Sequence, residues 1–322
     1  YRSPLRMPRR RILYAIASLE QGGAERQLAE LIRGLDTDRF EPFLALCNTT
    51  DQLGYDLPVG RPFSLEAPGG PDNAALVRLV KVIRDLRPDI VHTYMGAMNI
   101  HGRSAARAAS LWGHRPRAVS SVRCTRLPRK EVAREVFTHA LVDRYIVNSA
   151  GIRDELVHRA HLDPARIDII ENGVSLTRFA PLAPAAKADV RREYAIEGAR
   201  ALLMPGRVCA QKNQLSIVRA LAMMKRRGTL SPDLRVLFAG RGEDSSYGVA
   251  VKALARVAGL GPWVRFLGVV SPIQGLLASV DGVLLPSYYE GLPNVVLESM
   301  ACGTPAIVSP AANTDRLVVE GR

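Results

Sequence analysis

Cysteine is scarce in this 322-residue chain, with four residues scattered singly at Cys47, Cys124, Cys209 and Cys302. None belongs to a Cys-x-x-Cys pair, and none has a histidine nearby at the spacing of a metal site. A disulfide framework and a structural zinc site are therefore excluded as the basis of the fold. We expect four free or buried thiols in a protein of a reducing compartment.

Long hydrophobic runs are also lacking, since no apolar stretch approaches the roughly 20 residues that a membrane-spanning helix needs. The basic and apolar start of the chain, from Met7 to Leu19, resembles a signal peptide until the polar segment 20–23 interrupts it. We interpret it as a first buried strand and assign no element of the fold to residues 1–6.

Aromatic residues amount to only 6% of the chain, whereas hydrophobic residues make up 47% and charged residues 23%. The last two values are close to the globular average, and at roughly 150 residues per domain the length indicates two domains. The charge is unusual, because 44 lysines and arginines against 31 acidic residues give a net charge of +13. Such an excess favours a phosphate-bearing partner, either nucleic acid, an anionic lipid or a nucleotide.

Short apolar runs alternate with amphipathic stretches along the whole chain. The runs are apolar throughout, as expected of strands that helices cover on both faces. Helical spacing of apolar residues lies between them, for example at Leu28, Leu31, Ile32 and Leu35. We expect strands at 12–17, 43–47, 89–94, 118–122, 144–147 and 167–170, and then at 201–204, 235–239, 264–267, 282–285 and 306–308.

The Pro- and Ala-rich segment from Phe179 to Ala186 separates the two series of strands. We therefore expect an N-terminal domain over 7–178 and a C-terminal domain over 179–322, each an α/β domain with a doubly wound, Rossmann-like parallel sheet. Such sheets bind ligands at the carboxyl ends of their strands, so we expect the binding site in a cleft between two facing domains.

The Gly22-Gly23 turn follows the first strand and opens into a helix. Two glycines let the backbone turn tightly and let a phosphate or a sugar approach the N–H groups of a helix N-terminus. An ordinary turn is at least as good an interpretation, because the full Gly-x-Gly-x-x-Gly fingerprint is absent.

Arg207 follows the first strand of the second domain, and Lys212 comes shortly after it. Two cations at a strand end would neutralise a diphosphate and stabilise it as a leaving group. The alternative interpretation is a pair of solvated surface charges.

The segment from Glu290 to Glu298 carries two carboxylates after a later strand of the same domain. Pro293 is suited to the start of a helix, which would aim the N–H groups of Asn294 and Val295 at an anion. Glu298, inside that helix, would reach a hydroxyl beside the phosphate, while Glu290 would meet another part of the ligand from the loop. Carboxylates suit sugar hydroxyls because each accepts two hydrogen bonds in a fixed geometry.

Together these motifs resemble the retaining GT-B glycosyltransferases of the large family four type, the group 1 glycosyl transferases. The resemblance rests on the block 290–305, on Gly206-Arg207 with Lys212, on the Gly22-Gly23 turn and on the segment 172–174. It runs from Met7 to the end of the chain. It implies the GT-B architecture, in which two Rossmann-like domains face a cleft.

The resemblance also implies roles for individual residues. Arg207 and Lys212 would hold the donor diphosphate, Glu290 would contact the donor sugar, and these three would carry catalysis. Glu298 would bind the ribose hydroxyls. The segment 264–269 resembles the family's base-binding loop, and 240–243 its glycine turn, with a plain turn as the alternative for 240–243. The remaining donor-site residues are the amides after Glu290 and the first turn, namely Gly291, Leu292, Asn294, Val295, Gly22 and Gly23.

Two departures from the family pattern matter. Many members have His-Gly near the end of an N-terminal-domain strand, where this chain has Arg123. A permanently charged arginine cannot serve as a general base at neutral pH, which puts acid–base catalysis by histidine at this position in doubt. We assign His92, Asn99 and Arg123 to the acceptor side, with a packed or solvated histidine as the alternative for His92. Family members also continue beyond the position of Arg322, so we expect a truncated C-terminal domain.

Basic residues concentrate between Arg103 and Arg134, where Glu131 is the only acidic residue. A solvated face is the ordinary interpretation. Membrane-associated relatives use such N-terminal-domain patches on anionic lipid to reach lipid-linked acceptors, so we expect the stretch 103–134 to face an anionic membrane. Nucleic acid is a rival partner, which the lack of interleaved aromatic residues disfavours.

We therefore expect a cytoplasmic, metal-independent glycosyltransferase without a cofactor, peripheral at the inner face of the membrane and without a nucleic-acid partner. It would move a sugar with retention from a nucleotide diphosphate sugar, UDP-linked, to a carbohydrate or lipid-linked acceptor in glycan or polysaccharide biosynthesis. Cations and a helix end would supply the charge stabilisation that a metal otherwise gives. A nucleotide-sugar epimerase or hydrolase of the same architecture and a non-enzymatic nucleic-acid-binding protein are the alternatives.

Overall fold

The structure is a computed structural model that describes residues 8–19, 22–48 and 57–320. The chain divides into two compact units, Tyr1–Asn172 and Gly173–Arg322. This boundary lies a few residues before the one that the sequence predicts between 178 and 179. The domain limits 7–178 and 179–322 stay a prediction. Met7 and Arg322, the outer ends of that prediction, lie outside the described residues.

A seven-stranded parallel sheet organises the N-terminal unit. Its strands are β1 (Arg10–Ile16), β2 (Phe40–Leu46), β3 (Phe63–Ser64), β4 (Ile90–Tyr94), β5 (Arg117–Val122), β6 (Arg144–Val147) and β7 (Ile167–Ile169). They lie in the order β3-β2-β1-β4-β5-β6-β7. The interior strand β1 is buried on both faces, with Leu13 and Tyr14 only 0% and 2% exposed. This explains why its sequence is apolar throughout.

The helices of this unit are α1 (Gly23–Arg33), α2 (Asn73–Leu86), α3 (Gly96–Ala109), α4 (Arg129–Thr138) and α5 (Ala150–Ala160). The start of α2 is capped by the Asp72 carboxylate, which accepts a hydrogen bond from the Ala75 N–H at 2.7 Å. In α1 the predicted apolar stripe is narrower than expected, because Leu31 is 40% exposed and Leu35 lies beyond the end of the helix.

A five-stranded parallel sheet organises the C-terminal unit. Its strands are β8 (Arg200–Pro205), β9 (Leu234–Ala239), β10 (Val264–Phe266), β11 (Gly282–Leu285) and β12 (Ala306–Val308). They lie in the order β10-β9-β8-β11-β12. Its helices are α6 (Pro184–Glu193), α7 (Gln214–Arg226), α8 (Ser246–Val257), α9 (Gln274–Ser279) and α10 (Asn294–Ala301).

Successive residues of the central strands serve two different cores, one on each face of the sheet. In β1, Leu13 packs in the core that contains Leu79 of α2, whereas Tyr14 packs with Leu28 of α1. The same alternation occurs in β8, where Leu203 and Met204 belong to separate cores. Helices therefore cover both faces of each sheet, which confirms the prediction of two doubly wound α/β units.

Candidate functional site

The strand order of the C-terminal sheet reverses between β8 and β11, and the loops after these two strands carry the candidate residues. Arg207 and Lys212 follow β8, while Glu290 and the start of α10 follow β11. Ligands of doubly wound sheets bind at such a reversal, because the connections there leave on opposite faces and open a crevice. The sheet thus brings together two segments that are distant in the sequence.

Lys212 and Glu290 form an ion pair at this edge of the sheet. The distance from Lys212 Nζ to Glu290 Oε1 is 2.7 Å, and the two side chains are 17% and 11% exposed. Water screens a pair at this depth less than it screens a surface pair. The pair places a cation and a carboxylate, which suit a diphosphate and sugar hydroxyls, beside one another.

Three hydrogen bonds tie the segment around Lys212 to the loop before α10. The Gln211 Nε2 group donates to the carbonyl of Tyr289 at 3.0 Å, and the N–H of Tyr288 donates to the carbonyl of Gln211 at 2.9 Å. The side-chain amide of Asn213 donates to the carbonyl of Pro286 at 3.2 Å. Sequence reasoning missed Gln211 and Asn213, because main-chain carbonyls are their partners and no motif reveals them.

Arg207 presents an exposed side chain from a fixed backbone. Its carbonyl accepts a hydrogen bond from Gln214 Nε2 at 2.9 Å, and the preceding Gly206 N–H donates to the carbonyl of Ala239 at 2.8 Å. Gly206 has a φ of 129°, which a residue with a Cβ rarely adopts. The cation of Arg207 therefore stands at the end of β8 on a loop with a defined path.

Gly240 and Gly242 let the loop after β9 approach the loop after β8, which carries Arg207, closely. A Cβ on Gly240 would lie 2.1 Å from the carbonyl oxygen of Gly206, and one on Gly242 would lie 2.7 Å from that of Val208. The N–H of Val208 donates to the carbonyl of Arg241 at 2.8 Å. The glycine turn thus supports the backbone of the candidate site.

We expect Gly240→Ala to lower the free energy of unfolding by about 1–3 kcal/mol, the usual cost of forcing an extra carbon into a filled space. Denaturant titration measures this change. Gly261→Ala is the matched control, because no atom lies within 4 Å of a Cβ added there. Equal stability of the two variants would contradict the packing role of Gly240.

The helix α10 begins at Asn294, directly after Pro293, as the sequence predicts. The N-terminus of a helix carries a partial positive charge, so the start of α10 at Asn294 and Val295 suits an anion. The hydroxyl of Thr314 donates to the carbonyl of Gly291, which fixes the loop between Glu290 and the helix.

As whole residues, Glu298 and the loop residue Leu292 are both 5% exposed, and Glu290 is 9% exposed. The two carboxylates lie on different segments after β11, Glu290 in the loop and Glu298 within α10. Their placement agrees with contacts to different parts of one ligand, and these contacts stay predictions.

The Gly22-Gly23 turn belongs to the N-terminal unit, where Gly22 caps α1 and Gly23 is its first residue. A Cβ on Gly22 would lie 2.0 Å from Glu25 Oε2, so the Glu25 carboxylate packs against the glycine at the start of its own helix. The two preceding residues, Glu20 and Gln21, lie outside the described part of the chain. The contact of a phosphate or a sugar expected at this turn stays a prediction.

His92 and Asn99 lie inside the N-terminal unit and not at its surface, with 6% and 1% exposure. His92 Nε2 is 2.9 Å from Ser121 Oγ, and Asn99 Nδ2 donates to the carbonyl of Ser121 at 2.8 Å. Burial, with a smaller effect of the Arg123 charge, lowers the pKa of His92 to about 3. The structure therefore favours the packed interpretation of His92, and either residue would influence an acceptor only through its neighbours.

Arg123 follows β5 at the carboxyl edge of the N-terminal sheet and is partly exposed. Its Nη1 donates to Asn172 Oδ1 at 2.7 Å, and the same oxygen accepts from Asn148 Nδ2 at 3.2 Å. The guanidinium carbon lies 5.5 Å from the centre of the Tyr94 ring. Burial lowers the pKa of Arg123, although an arginine keeps its charge at physiological pH.

The basic stretch 103–134 does not form one surface, so the expectation that it faces a membrane is wrong for Arg103 and stays a prediction for the exposed cations. The side chain of Arg103 is 0% exposed and forms two hydrogen bonds, of 2.7 Å and 2.9 Å, with the Glu135 carboxylate. Glu135 lies one residue beyond the stretch 103–134, so the charges of that stretch alone do not reveal its pairing with Arg103. Arg107 is also paired, with Asp143 at 2.9 Å. The exposed cations of the stretch are Arg115, Arg117, Arg126, Arg129, Lys130 and Arg134.

The four cysteines are free thiols, and Cys47 and Cys302 are buried. Burial raises the pKa of the Cys47 thiol to about 11. In the ranges that the structure describes, no three histidine, cysteine or acidic side chains are grouped as a metal site requires. Within the same ranges, no helix combines the length and the hydrophobicity of a membrane span.

Comparison with known proteins connects both units to one enzyme family. A family model described as Glycosyltransferase Family 4 matches residues 21–178, and one described as Glycosyl transferases group 1 matches residues 199–322. The chain is 30% identical over 262 residues to the UDP-Gal:alpha-D-GlcNAc-diphosphoundecaprenol alpha-1,3-galactosyltransferase of Escherichia coli, covering 77% of this chain and 64% of that protein. It is 31% identical over 184 residues to the D-inositol 3-phosphate glycosyltransferase of Corynebacterium kroppenstedtii, covering 56% and 41%.

The chain thus spans less than two thirds of the length of these curated relatives. Among solved structures, HepE of Anabaena in complex with UDP and glucose is similar with a TM-score of 0.81 and 20% identity, covering 97% of this chain and 84% of that one. A glycosyltransferase of Rickettsia africae has a TM-score of 0.76 and 20% identity, covering 94% and 79%. These likenesses show the fold, which is GT-B. The chain belongs to the group 1 glycosyl transferases of glycosyltransferase family 4.

Proposed function

We propose that this chain transfers a sugar, with retention of configuration, from a UDP-sugar to a carbohydrate or lipid-linked acceptor. The observation that carries the proposal is the 2.7 Å pair of Lys212 and Glu290, which lies at the sheet reversal beside Arg207 and the start of α10. A cation, a carboxylate and a helix N-terminus are the groups that suit a sugar diphosphate. The family of the chain supports the same activity, and the Escherichia coli relative is named for UDP-Gal as its donor.

Donor binding depends first on the diphosphate. Arg207 and Lys212 offset its charge, and Lys212 exchanges part of its bond to Glu290 for a phosphate oxygen. Glu290 is then available to accept hydrogen bonds from the donor sugar, while Glu298 binds the ribose hydroxyls. The backbone amides of the loop and of α10 bind phosphate oxygens, through Gly291, Leu292, Asn294 and Val295.

Departure of UDP places negative charge on the diphosphate, and Arg207, Lys212 and the N-terminus of α10 stabilise it without a metal ion. We assign deprotonation of the acceptor hydroxyl to an oxygen of the departing diphosphate. His92 is unsuited to this step because burial keeps it neutral with a pKa of about 3, and Arg123 is permanently protonated. Attack on the face from which UDP leaves retains the configuration of the sugar.

Product analysis tests the proposal. The protein is incubated with a UDP-sugar, first alone and then with glycolipid or oligosaccharide acceptors, and the products are separated by mass. A new glycoside formed together with UDP supports transfer. Free sugar or an epimerised donor, formed at the same rate without any acceptor, would identify a hydrolase or an epimerase.

We also propose that the exposed face of α4 and the residues before it contact an anionic membrane. Arg126, Arg129, Lys130 and Arg134 are exposed there, and the aromatic side chain of Phe137 is 85% exposed. Each cation near an anionic surface contributes about 1 kcal/mol, so several of them hold a protein there reversibly. This arrangement favours a lipid-linked acceptor and a peripheral position in the cytoplasm.

Co-sedimentation with vesicles measures this membrane contact. We expect binding to anionic vesicles and not to neutral ones, and a steep loss with salt, because screening acts within about 10 Å at 0.1 M. Changing the four cations of this face to glutamate is expected to weaken binding at least about tenfold. The control changes four exposed arginines of the C-terminal unit in the same way, namely Arg219, Arg226, Arg227 and Arg256. If both sets of substitutions weakened vesicle binding equally, the net charge of the protein, and not the face at α4, would account for the binding.

A further inference from the structure

Arg103 and Arg123 of the N-terminal unit differ in burial and in their partners. Arg103 is fully buried and holds the Glu135 carboxylate through two hydrogen bonds, of 2.7 Å and 2.9 Å. Arg123 instead contacts an uncharged amide oxygen, that of Asn172 at 2.7 Å, and the ring of Tyr94. Over residues 8–19, 22–48 and 57–320, no carboxylate lies within ion-pair distance of Arg123. Its positive charge therefore has no counter-charge in that part of the chain.

The groups around Arg123 offset its charge only in part, and Tyr94 is the group that does so. His92 is buried and neutral, and the Asn172 oxygen that accepts from Arg123 also accepts from Asn148 Nδ2 at 3.2 Å. Burial lowers the pKa of Arg123, and the contribution of Tyr94 in the opposite direction is smaller. A partly buried cation without a paired anion lowers the stability of a protein, so the presence of Arg123 calls for a reason outside folding.

The position of Arg123 supplies that reason. It follows β5 at the carboxyl edge of the parallel sheet, between the end of β4 at Tyr94 and Asn148, which follows β6. This is the edge at which doubly wound sheets bind their ligands. The planar guanidinium group presents several N–H donors in a fork that matches the oxygens of phosphate better than an ammonium or an imidazole group does.

We infer that Arg123 binds an anionic phosphate or diphosphate group of the acceptor substrate. This inference rests on the proposed function and deepens it, because it gives the chemical class of the acceptor. A neutral oligosaccharide would leave the charge of Arg123 unpaired, whereas a phosphate oxygen would pair with it. The phosphate belongs either to a lipid-linked acceptor or to a water-soluble sugar phosphate.

Titration with inorganic pyrophosphate in the presence of excess UDP tests the binding of the anion. The excess UDP occupies the candidate donor site of the C-terminal unit, so that pyrophosphate does not bind there. We expect one pyrophosphate to bind the wild-type protein, at least about tenfold weaker binding to Arg123→Gln, and an intermediate affinity in Arg123→Lys, which keeps the charge but not the fork. Arg117→Gln is the matched control, since this exposed arginine begins the strand that Arg123 follows.

Absence of pyrophosphate binding to the wild-type protein, or wild-type affinity in folded Arg123→Gln, would overturn the inference. If Arg123→Gln does not fold, Arg123→Lys decides, and equal affinity of Arg123→Lys and wild type would overturn it as well. A separate titration with UDP alone is expected to give equal affinities for wild type and Arg123→Gln. Loss of UDP binding in Arg123→Gln would make Arg123 a donor ligand and overturn the inference, whereas no UDP binding to any protein would count against the proposed function.

Two further probes distinguish the sources of the phosphate. One is a polyprenyl diphosphate in neutral phosphatidylcholine vesicles, and the other is N-acetylglucosamine 1-phosphate in solution, with N-acetylglucosamine as the uncharged control. Binding that depends on Arg123 for the first probe indicates a lipid-linked acceptor, and for the second a soluble sugar phosphate. If Arg123→Gln weakened binding of the uncharged sugar as much as that of its phosphate, the anion-binding role would be overturned.

Discussion

Replacement of Lys212 by alanine, and separately of Arg207, is expected to lower kcat for sugar transfer about 100-fold or more. Removal of one positioned donor that stabilises charge in a transition state has an effect of this size. Lys212 stands 2.7 Å from Glu290, so its loss also leaves a carboxylate of low exposure without its cation. We therefore expect a lower melting temperature for Lys212→Ala but not for Arg207→Ala, whose side chain is exposed.

Steady-state kinetics with a UDP-sugar measures these effects, and thermal unfolding separates them from loss of structure. Arg219→Ala is the matched control, because it removes an exposed cation from α7 in the same unit. Lys212→Arg keeps the charge and is expected to recover part of the rate. Turnover near that of the wild type in both alanine variants would remove the diphosphate role of these two cations.

Glu298→Ala is expected to weaken the binding of UDP itself about 10- to 100-fold, whereas Glu290→Ala affects the intact UDP-sugar and leaves UDP binding nearly unchanged. A hydrogen bond to a charged group contributes about 1.5–3 kcal/mol, which corresponds to this range. The difference between the two variants arises because Glu298 lies within α10 and Glu290 in the loop before it.

Calorimetry with UDP and with a UDP-sugar compares the two glutamates directly. Glu298→Gln keeps the size of a side chain that is only 5% exposed, so it separates the loss of a carboxylate from the loss of packing. If UDP bound to Glu298→Ala and to Glu298→Gln as to the wild type, Glu298 would not be the ribose ligand.

Local sequence pattern was sufficient to predict most of the sheet strands. Each predicted apolar run corresponds to a strand, with ends shifted by a few residues, as at β2, where the run from Phe43 belongs to a strand that begins at Phe40. The edge strand β3 was missed because it consists of Phe63 and Ser64 alone, which is too short for any periodicity. Leu35 was misassigned to α1 because the spacing of apolar residues does not show where Gly34 ends the helix.

Contacts between distant segments could not be predicted from the sequence. Lys212 and Glu290 were each recognised as candidate residues, but their pairing depends on the adjacency of β8 and β11 in the folded sheet. For the same reason the charge count of 103–134 did not reveal that Arg103 is buried against Glu135. Charge in a sequence window indicates a surface only where the fold leaves the side chains exposed.

Calorimetric titration of the wild-type protein with UDP, GDP, ADP and UDP-sugars, in a buffer that contains a metal chelator, tests whether the chain binds a UDP-sugar through Arg207 and Lys212. We predict saturable binding of UDP at one site, tighter than that of the other nucleotides, and its loss in the Arg207→Ala, Lys212→Ala double variant. Undiminished UDP binding in the double variant, or no binding of UDP or of any UDP-sugar to the wild-type protein, would contradict it.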